Sequence, residues 1–262
     1  MTSLVSFTDA GVQGVRLTRK RQMIKGVPRI AGTHEKEAYW LFEHLSVDLP
    51  AGEVLALVAK DPDRVSAALR VWAGLLPLDA GEAQMPASSI LIVSPPPRWV
   101  RELSVEQTIR MLAGTYGLFD DQIEQIVPAV AKTAQVANIM HQPIEDQSRR
   151  VRSQIAFAIG VHAPVDVVMF DQMAAVGSSA FRAVCPQLIS GLKDQGKAVA
   201  FTAAKPQTVL DTATRGLIVR AKRADEVDAA GAAEFLLRVR AKSHKQERKS
   251  LFDEDDDSGP DF

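Results

Sequence analysis

Four apolar residues in a row, Val167-Val168-Met169-Phe170, are followed at once by Asp171. A strand that is apolar on both faces must be covered on both faces, which argues for a parallel sheet held between layers. Open α/β sheets gather their ligands at the carboxyl ends of the strands, and Asp171 stands at that end. Gln172 comes next, then a run of small residues to Gly177. An acid in this place is suited to holding magnesium. The neighbouring residue would polarise water, and here it is an amide. A strand closed by a polar cap is the plain alternative.

Other segments offer this strand partners. Residues 54–58, 90–93, 198–202 and 216–219 are short and apolar, as buried strands are. Leu4, Val5 and Phe7 suit a first strand, and residues 41–49 alternate as a half-buried strand does. Asp61 is placed to cap a helix with Pro62 at its first position, and Leu69, Trp72, Ala73 and Leu76 form one face. Ser104 three residues before Gln107 is a capping-box signal, and helical spacing continues through Leu118, Ile123, Ile126, Val130, Val136 and Ile139. A further helix is expected near 232–239. Residues 16–37 are basic and interrupted by Gly26, Pro28 and Gly32. They read as a turn-rich loop, either simply solvated or facing acidic or phosphate-bearing partners. From residue 242 the chain turns from basic to acidic without core periodicity, which predicts a disordered tail.

At 262 residues, 46% apolar and 24% charged, the chain can bury a large core as one large or two modest domains. A net charge of −1 gives no overall pull toward nucleic acid, and none is expected as a partner. One cysteine, Cys185, excludes an internal disulfide and reads as a buried packing thiol. No apolar leader and no run of about 18 apolar residues is present, so direct membrane insertion is not expected.

Residues 52–82 resemble the Walker A region of an ABC-transporter nucleotide-binding domain, aligning without a gap through Ala73-Gly74-Leu75-Leu76-Pro77 and Ala80-Gly81-Glu82. The nearest pattern is that of the subfamily exporting polysaccharides such as O-antigen and teichoic acid, whose aromatic-Trp pair is matched by Tyr39-Trp40. Residues 144–160 resemble the signature motif and its helix, Asp171 the Walker B aspartate, and residues 174–185 the stretch after it. The resemblance covers roughly residues 37–225. It implies an α/β, P-loop NTPase-like ABC nucleotide-binding domain, with a mixed sheet and an inserted helical subdomain at about 98–150. The domain would span residues 1–241. It also implies ATP and Mg2+ as cofactors, an integral-membrane permease, and a second nucleotide-binding subunit in a homo- or heterodimer. The expected location is cytoplasmic, peripheral to the inner face of the plasma membrane.

The motif positions themselves depart from the family. Ala59, Pro62 and Arg64 stand where glycines are usual, Val65 where the lysine is, and Ala67 where a hydroxyl is. Ser66 keeps the magnesium-binding hydroxyl, so Ser66 and Asp171 are the expected metal pair. A phosphate cradle needs successive backbone N–H groups turned to the anion, and Pro62 has none. Asp61 and Asp63 bring carboxylates to the phosphate position, and either could close the loop by capping the helix. Arg64 would supply charge to phosphate only by folding back. Ser148 keeps the signature serine, but Arg149 and Arg150 replace the glycines. Gln172 replaces the catalytic glutamate, Ser178 the aspartate after it, and Ala204 the switch histidine. Ser94-Pro95 stands where a linking glutamine is usual.

Three functions are open on this reading. The leading one is a degenerate nucleotide-binding subunit, structural or regulatory, at a cell-envelope polysaccharide exporter. A weakly active ATPase energising that export, and a scaffold protein outside transport, are the alternatives.

Overall fold

The computed structural model describes residues 3–24, 27–93, 102–172 and 177–255. The chain opens with two long antiparallel strands, β1 (Ser3–Ile24) and β2 (Val27–Pro50), and turns into β3 (Val54–Val58). Helix α1 (Pro62–Trp72), β4 (Ala80–Gln84) and β5 (Ser89–Val93) follow. Helices α2 (Val105–Thr115) and α3 (Asp120–Thr133), a 3-10 turn at Ile144–Asp146 and α4 (Arg149–His162) come next. The last part is β6 (Val167–Asp171), α5 (Ser179–Asp194), β7 (Ala198–Thr202), α6 (Pro206–Thr212), β8 (Arg215–Val219), β9 (Ala224–Asp228) and α7 (Ala229–Asp255).

Two sheets form. The six-stranded sheet runs β5-β6-β7-β3-β8-β9, parallel except for β9. The other is antiparallel, in the order β2-β1-β4. Strand alternation divides the core between the two faces of the large sheet. Val168, Phe170, Val199, Phe201, Val54 and Ala56 pack with α2 to α7. Val167, Met169, Ala198, Ala200, Leu55 and Leu57 pack with α1 and the antiparallel sheet. Both faces are therefore dry, which explains the unbroken apolar runs. Burying each Val, Leu, Met or Phe side chain among them contributes about 1.5–3 kcal/mol. Phe7 of β1 stacks on Trp72 of α1 with ring centroids 4.6 Å apart, joining the sheets. Gly81 has φ +74°, and a Cβ there would lie 2.2 Å from the Asp9 carbonyl oxygen, so only glycine lets β4 close on the irregular part of β1.

Several expectations are met. The capping box at α2 is present, with Gln107 N donating to Ser104 Oγ and Ser104 N to Gln107 Oε1. Cys185 is buried, and burial pushes its thiol up to about 12. Others are corrected. Residues 16–37 are not a loop in the described part: Arg16 pairs with Glu37 and Ile24 with Val27, because antiparallel pairing satisfies the backbone that a loop would leave to water. β4 and β9 go unanticipated, since neither is apolar enough to stand out. Helix α7 runs on to Asp255, where disorder is expected from residue 242. Lys, Glu, Gln and Arg are good helix formers, so the segment extends an already nucleated helix without needing an apolar face. Ser94-Pro95, residues 174–176 and residues 256–262 lie outside the described residues.

Candidate nucleotide site

Asp171 ends β6 at the carboxyl edge of the large sheet and is 1% exposed. Its Oδ1 accepts from Ser66 Oγ of α1 and from Thr202 Oγ1 of β7, each at 2.8 Å. Thr202 Oγ1 in turn accepts from the Gln172 N–H at 2.7 Å. Asp171 Oδ2 is buried without a hydrogen-bond partner. The guanidinium of Arg70, one helical turn after Ser66, has Nη2 3.7 Å from it. Gln172 itself takes φ +59°, an uncommon conformation for a residue with a side chain, and its side chain is exposed. Gly177 at φ +61° lies so close to Gln154 that a Cβ would come within 2.7 Å of Gln154 Cγ.

The loop before α1 is closed on itself. Asp61 caps the helix and accepts from Asp63 N through Oδ1 at 3.1 Å, while the Arg64 N–H goes to the Asp61 carbonyl at 3.3 Å. Pro62 offers no N–H. The backbone donors from Pro62 to Arg64 are thus absent or engaged. Asp61 fills the capping role and Asp63 is exposed. Arg64 is turned away from Asp171: its Nη1 donates to the carbonyls of Leu41 and Trp40, and Nε lies 3.7 Å from Asp61 Oδ2. Val65 is 3% exposed and belongs to the core beneath the sheet, as does Ala67.

A cleft of about 580 Å³ opens beside these groups, lined among others by Lys60, Ser66, Gln172, Ala204 and, from α7, Leu236 and Arg240. The structure therefore brings Ser66, Asp171, Gln172 and Ala204 to one place. It does not bring Trp40 there: the ring packs over β1, where a Cβ at Gly11 would come within 2.9 Å of it. Ser148, Arg149 and Arg150 also stand apart, at the start of α4, where Ser148 Oγ caps Val151 N and both arginines are exposed. Thr202 and Arg70 are site residues that motif reading misses. Thr202 was visible as a hydroxyl ending an apolar strand, and Arg70 as the residue one turn beyond Ser66 on the same helix face.

Magnesium in such sites is bound by one or two carboxylates together with phosphate oxygens. Ser66 Oγ and Asp171 Oδ2, which has no hydrogen bond and faces Arg70 at 3.7 Å, fit that share of an ion's shell. The phosphate half fits poorly: Pro62 has no N–H, the Asp63 and Arg64 N–H groups are engaged by Asp61, valine stands at position 65, and the Arg64 side chain donates to β2, leaving Lys60 as the lysine at the cleft.

No profile of a known family matches the chain. Curated relatives do. The teichoic acids export ATP-binding protein TagH of Listeria monocytogenes serotype 4b is 25% identical over 197 residues, covering 75% of this chain and 58% of the relative. That of Listeria innocua serovar 6a is 26% identical over 182 residues, covering 70% and 54%. The chain thus spans just over half the length of these relatives. Among solved structures, an ABC transporter described as of metal-chelate type, in an inward-facing conformation, superimposes with a TM-score of 0.67 at 16% identity. That match covers 88% of this chain and 85% of the other. An ATP-binding subunit of an ABC transporter gives 0.66 at 12% identity, covering 86% and 90%. The strand order, the position of Asp171 and these likenesses agree: the chain has the fold of ABC-type nucleotide-binding domains and is similar in sequence to teichoic-acid export ATP-binding proteins.

Proposed function

We propose that the chain serves a cell-envelope polysaccharide exporter as a structural or regulatory nucleotide-binding-domain subunit, with weakened binding and hydrolysis of ATP. The observation that carries this reading is the loop closed by Asp61, whose carboxylate and carbonyl take the N–H groups of Asp63 and Arg64 beside a Pro62 that has none. The amide at Gln172 supplies no base for activating water. Its glycan-export setting is supported by relatives named for teichoic-acid export. By the same likeness its partners are an integral-membrane permease and a second nucleotide-binding subunit, at the inner face of the plasma membrane. In the described residues no helix is long and apolar enough to cross a membrane. In an ABC dimer each nucleotide lies between one subunit's loop and the other's signature. Here Arg149 and Arg150 would face the partner's nucleotide where glycines normally give way.

Calorimetric titration of the purified chain with ATP and MgCl2 tests the reading. The expected result is no binding tighter than about 1 mM. Micromolar binding that disappears in Asp171→Ala would overturn it and favour a slow ATPase, for which the retained Ser66 and an Asp171 Oδ2 without a hydrogen bond are the supporting observations.

A further inference from the structure

Helix α7 borders a second cavity, of about 510 Å³, between the loop before α1 and the end of β8. Five cations line it, Lys60, Arg64, Arg220, Arg238 and Lys242, against one carboxylate, Asp61. The whole chain carries a net charge of −1, so this surplus of positive charge is local. It follows from the helix period. Phe235, Arg238, Val239 and Lys242 stand three, four and seven residues apart and share one stripe of α7. The neighbouring stripe, with Leu236 and Arg240, faces the cleft that holds Ser66 and Gln172. Lys60 and Val239 line both hollows, so the two meet across that pair.

Some of these charges are already answered. Arg64 donates to the carbonyls of Leu41 and Trp40, and Asp61 is taken as the cap of α1. Arg220 pairs with Asp225 and lies over the Phe235 ring, 5.6 Å from its centroid. Arg238 pairs with Glu234 on its own helix. Lys60 and Lys242 remain, with Arg240 on the adjoining cleft. None of these three has a carboxylate partner among the described residues, and all three are exposed, so a ligand can reach them from solvent.

We propose that the joined hollows bind a small phosphate monoester. Its phosphoryl group would lie between Lys60 and Lys242, and its apolar body against Val65, Leu236 and Val239. A dianion matches two unanswered ammonium groups, where a single carboxylate would leave one charge over. The body is called for by the cleft beside Lys60, whose wall includes Pro62, Val65, Ala203, Leu236 and Val239. A magnesium-bound triphosphate carries its charge around the metal and has a polar sugar, so it suits this wall less well. The site uses neither Asp171 nor a metal. It therefore goes beyond the reading above and does not depend on it.

The test is calorimetric titration of the full chain, in EDTA, with naphthyl phosphate, inorganic phosphate and naphthol. Naphthyl phosphate should bind saturably and about tenfold tighter than inorganic phosphate, because its rings leave water. Naphthol should show no saturable binding. Lys60→Gln with Lys242→Gln should weaken the ester about tenfold or more. Lys132→Gln with Lys193→Gln, the same change of charge away from both hollows, should leave it unchanged. Val239→Ser should weaken the ester but not inorganic phosphate, with circular dichroism unaltered. The proposal is overturned if naphthyl phosphate binds no tighter than about 1 mM, or if the two lysine pairs act equally. It is also overturned if binding appears only with magnesium and is lost in Asp171→Ala, which would put the ester at the Ser66–Asp171 pair instead.

Discussion

The two walls of the cleft differ in how much of the molecule holds them. On the sheet side, Asp171, Ser66 and Thr202 come from three elements and close a buried hydrogen-bond network, with Phe170 directly beneath and stacked on Phe157 at 4.7 Å. On the loop side, residues 61–64 are joined through Asp61, and Arg64 ties them to the carbonyls of Leu41 and Trp40 on β2. Change on the first wall disturbs core and sheet together, whereas change on the second falls on a cap and its tie to β2. That contrast accounts for a framework that keeps its family likeness around a loop that does not.

The largest expected effect tests the first wall. Asp171→Ala leaves two buried hydroxyls without their acceptor and Arg70 without its counter-charge. It should destabilise the chain by about 3 kcal/mol in urea unfolding. A loss under about 0.5 kcal/mol, the size of an ordinary surface change, would mean that the wall is not a network. Next comes the second wall. Val65→Lys puts an ammonium where a valine is now buried and should cost about 2 kcal/mol without ligand. Combined with Pro62→Gly and Arg64→Gly, it should make the melting temperature rise with added ATP and magnesium, which the unaltered chain should not show. Equal ATP responses in the two proteins would erase the distinction between the walls.

The smallest effect lies outside both. His162, half-buried against Thr133, has its pKa lowered, first by burial and then by the Lys197 charge. The folded state therefore resists protonating it. Its contribution is complete above the unfolded value of about 6.5 and is lost as pH falls below it. Exposed His44 works in the opposite sense, raised by its hydrogen bond to Asp9, so its contribution is present below about 6.5 and lost as pH rises through the folded value. His162→Gln should flatten the acid side of the stability profile, and His44→Gln the alkaline side, as read by unfolding midpoints across that range.

What the sequence disclosed follows the same division. β6 and β7 were legible because burial on both faces writes itself as consecutive apolar residues, with no long-range information needed. Asp61 and Pro62 were legible as a helix start, because capping is local chemistry. The Ser66–Asp171 bond joins residues far apart in the chain and became expected only through the family resemblance. Arg64 was open in the sequence because its partners are backbone carbonyls of β2, which carry no side-chain signature. The hairpin hid for a related reason: in residues 16–37 two glycines and a proline outweigh a weak alternation in the sequence. The end of α7 hid because helix propensity without an apolar stripe resembles a solvated tail.

The Thr202 hydroxyl has a consequence for motion. It takes the Gln172 N–H and gives its own proton to Asp171, so one atom ties the peptide after β6 to the carboxylate at its end. Gln172 itself takes a positive φ. A change in the backbone at this corner would pull on the Asp171 network through Thr202, so exchange of the Gln172 amide proton should report opening of that network.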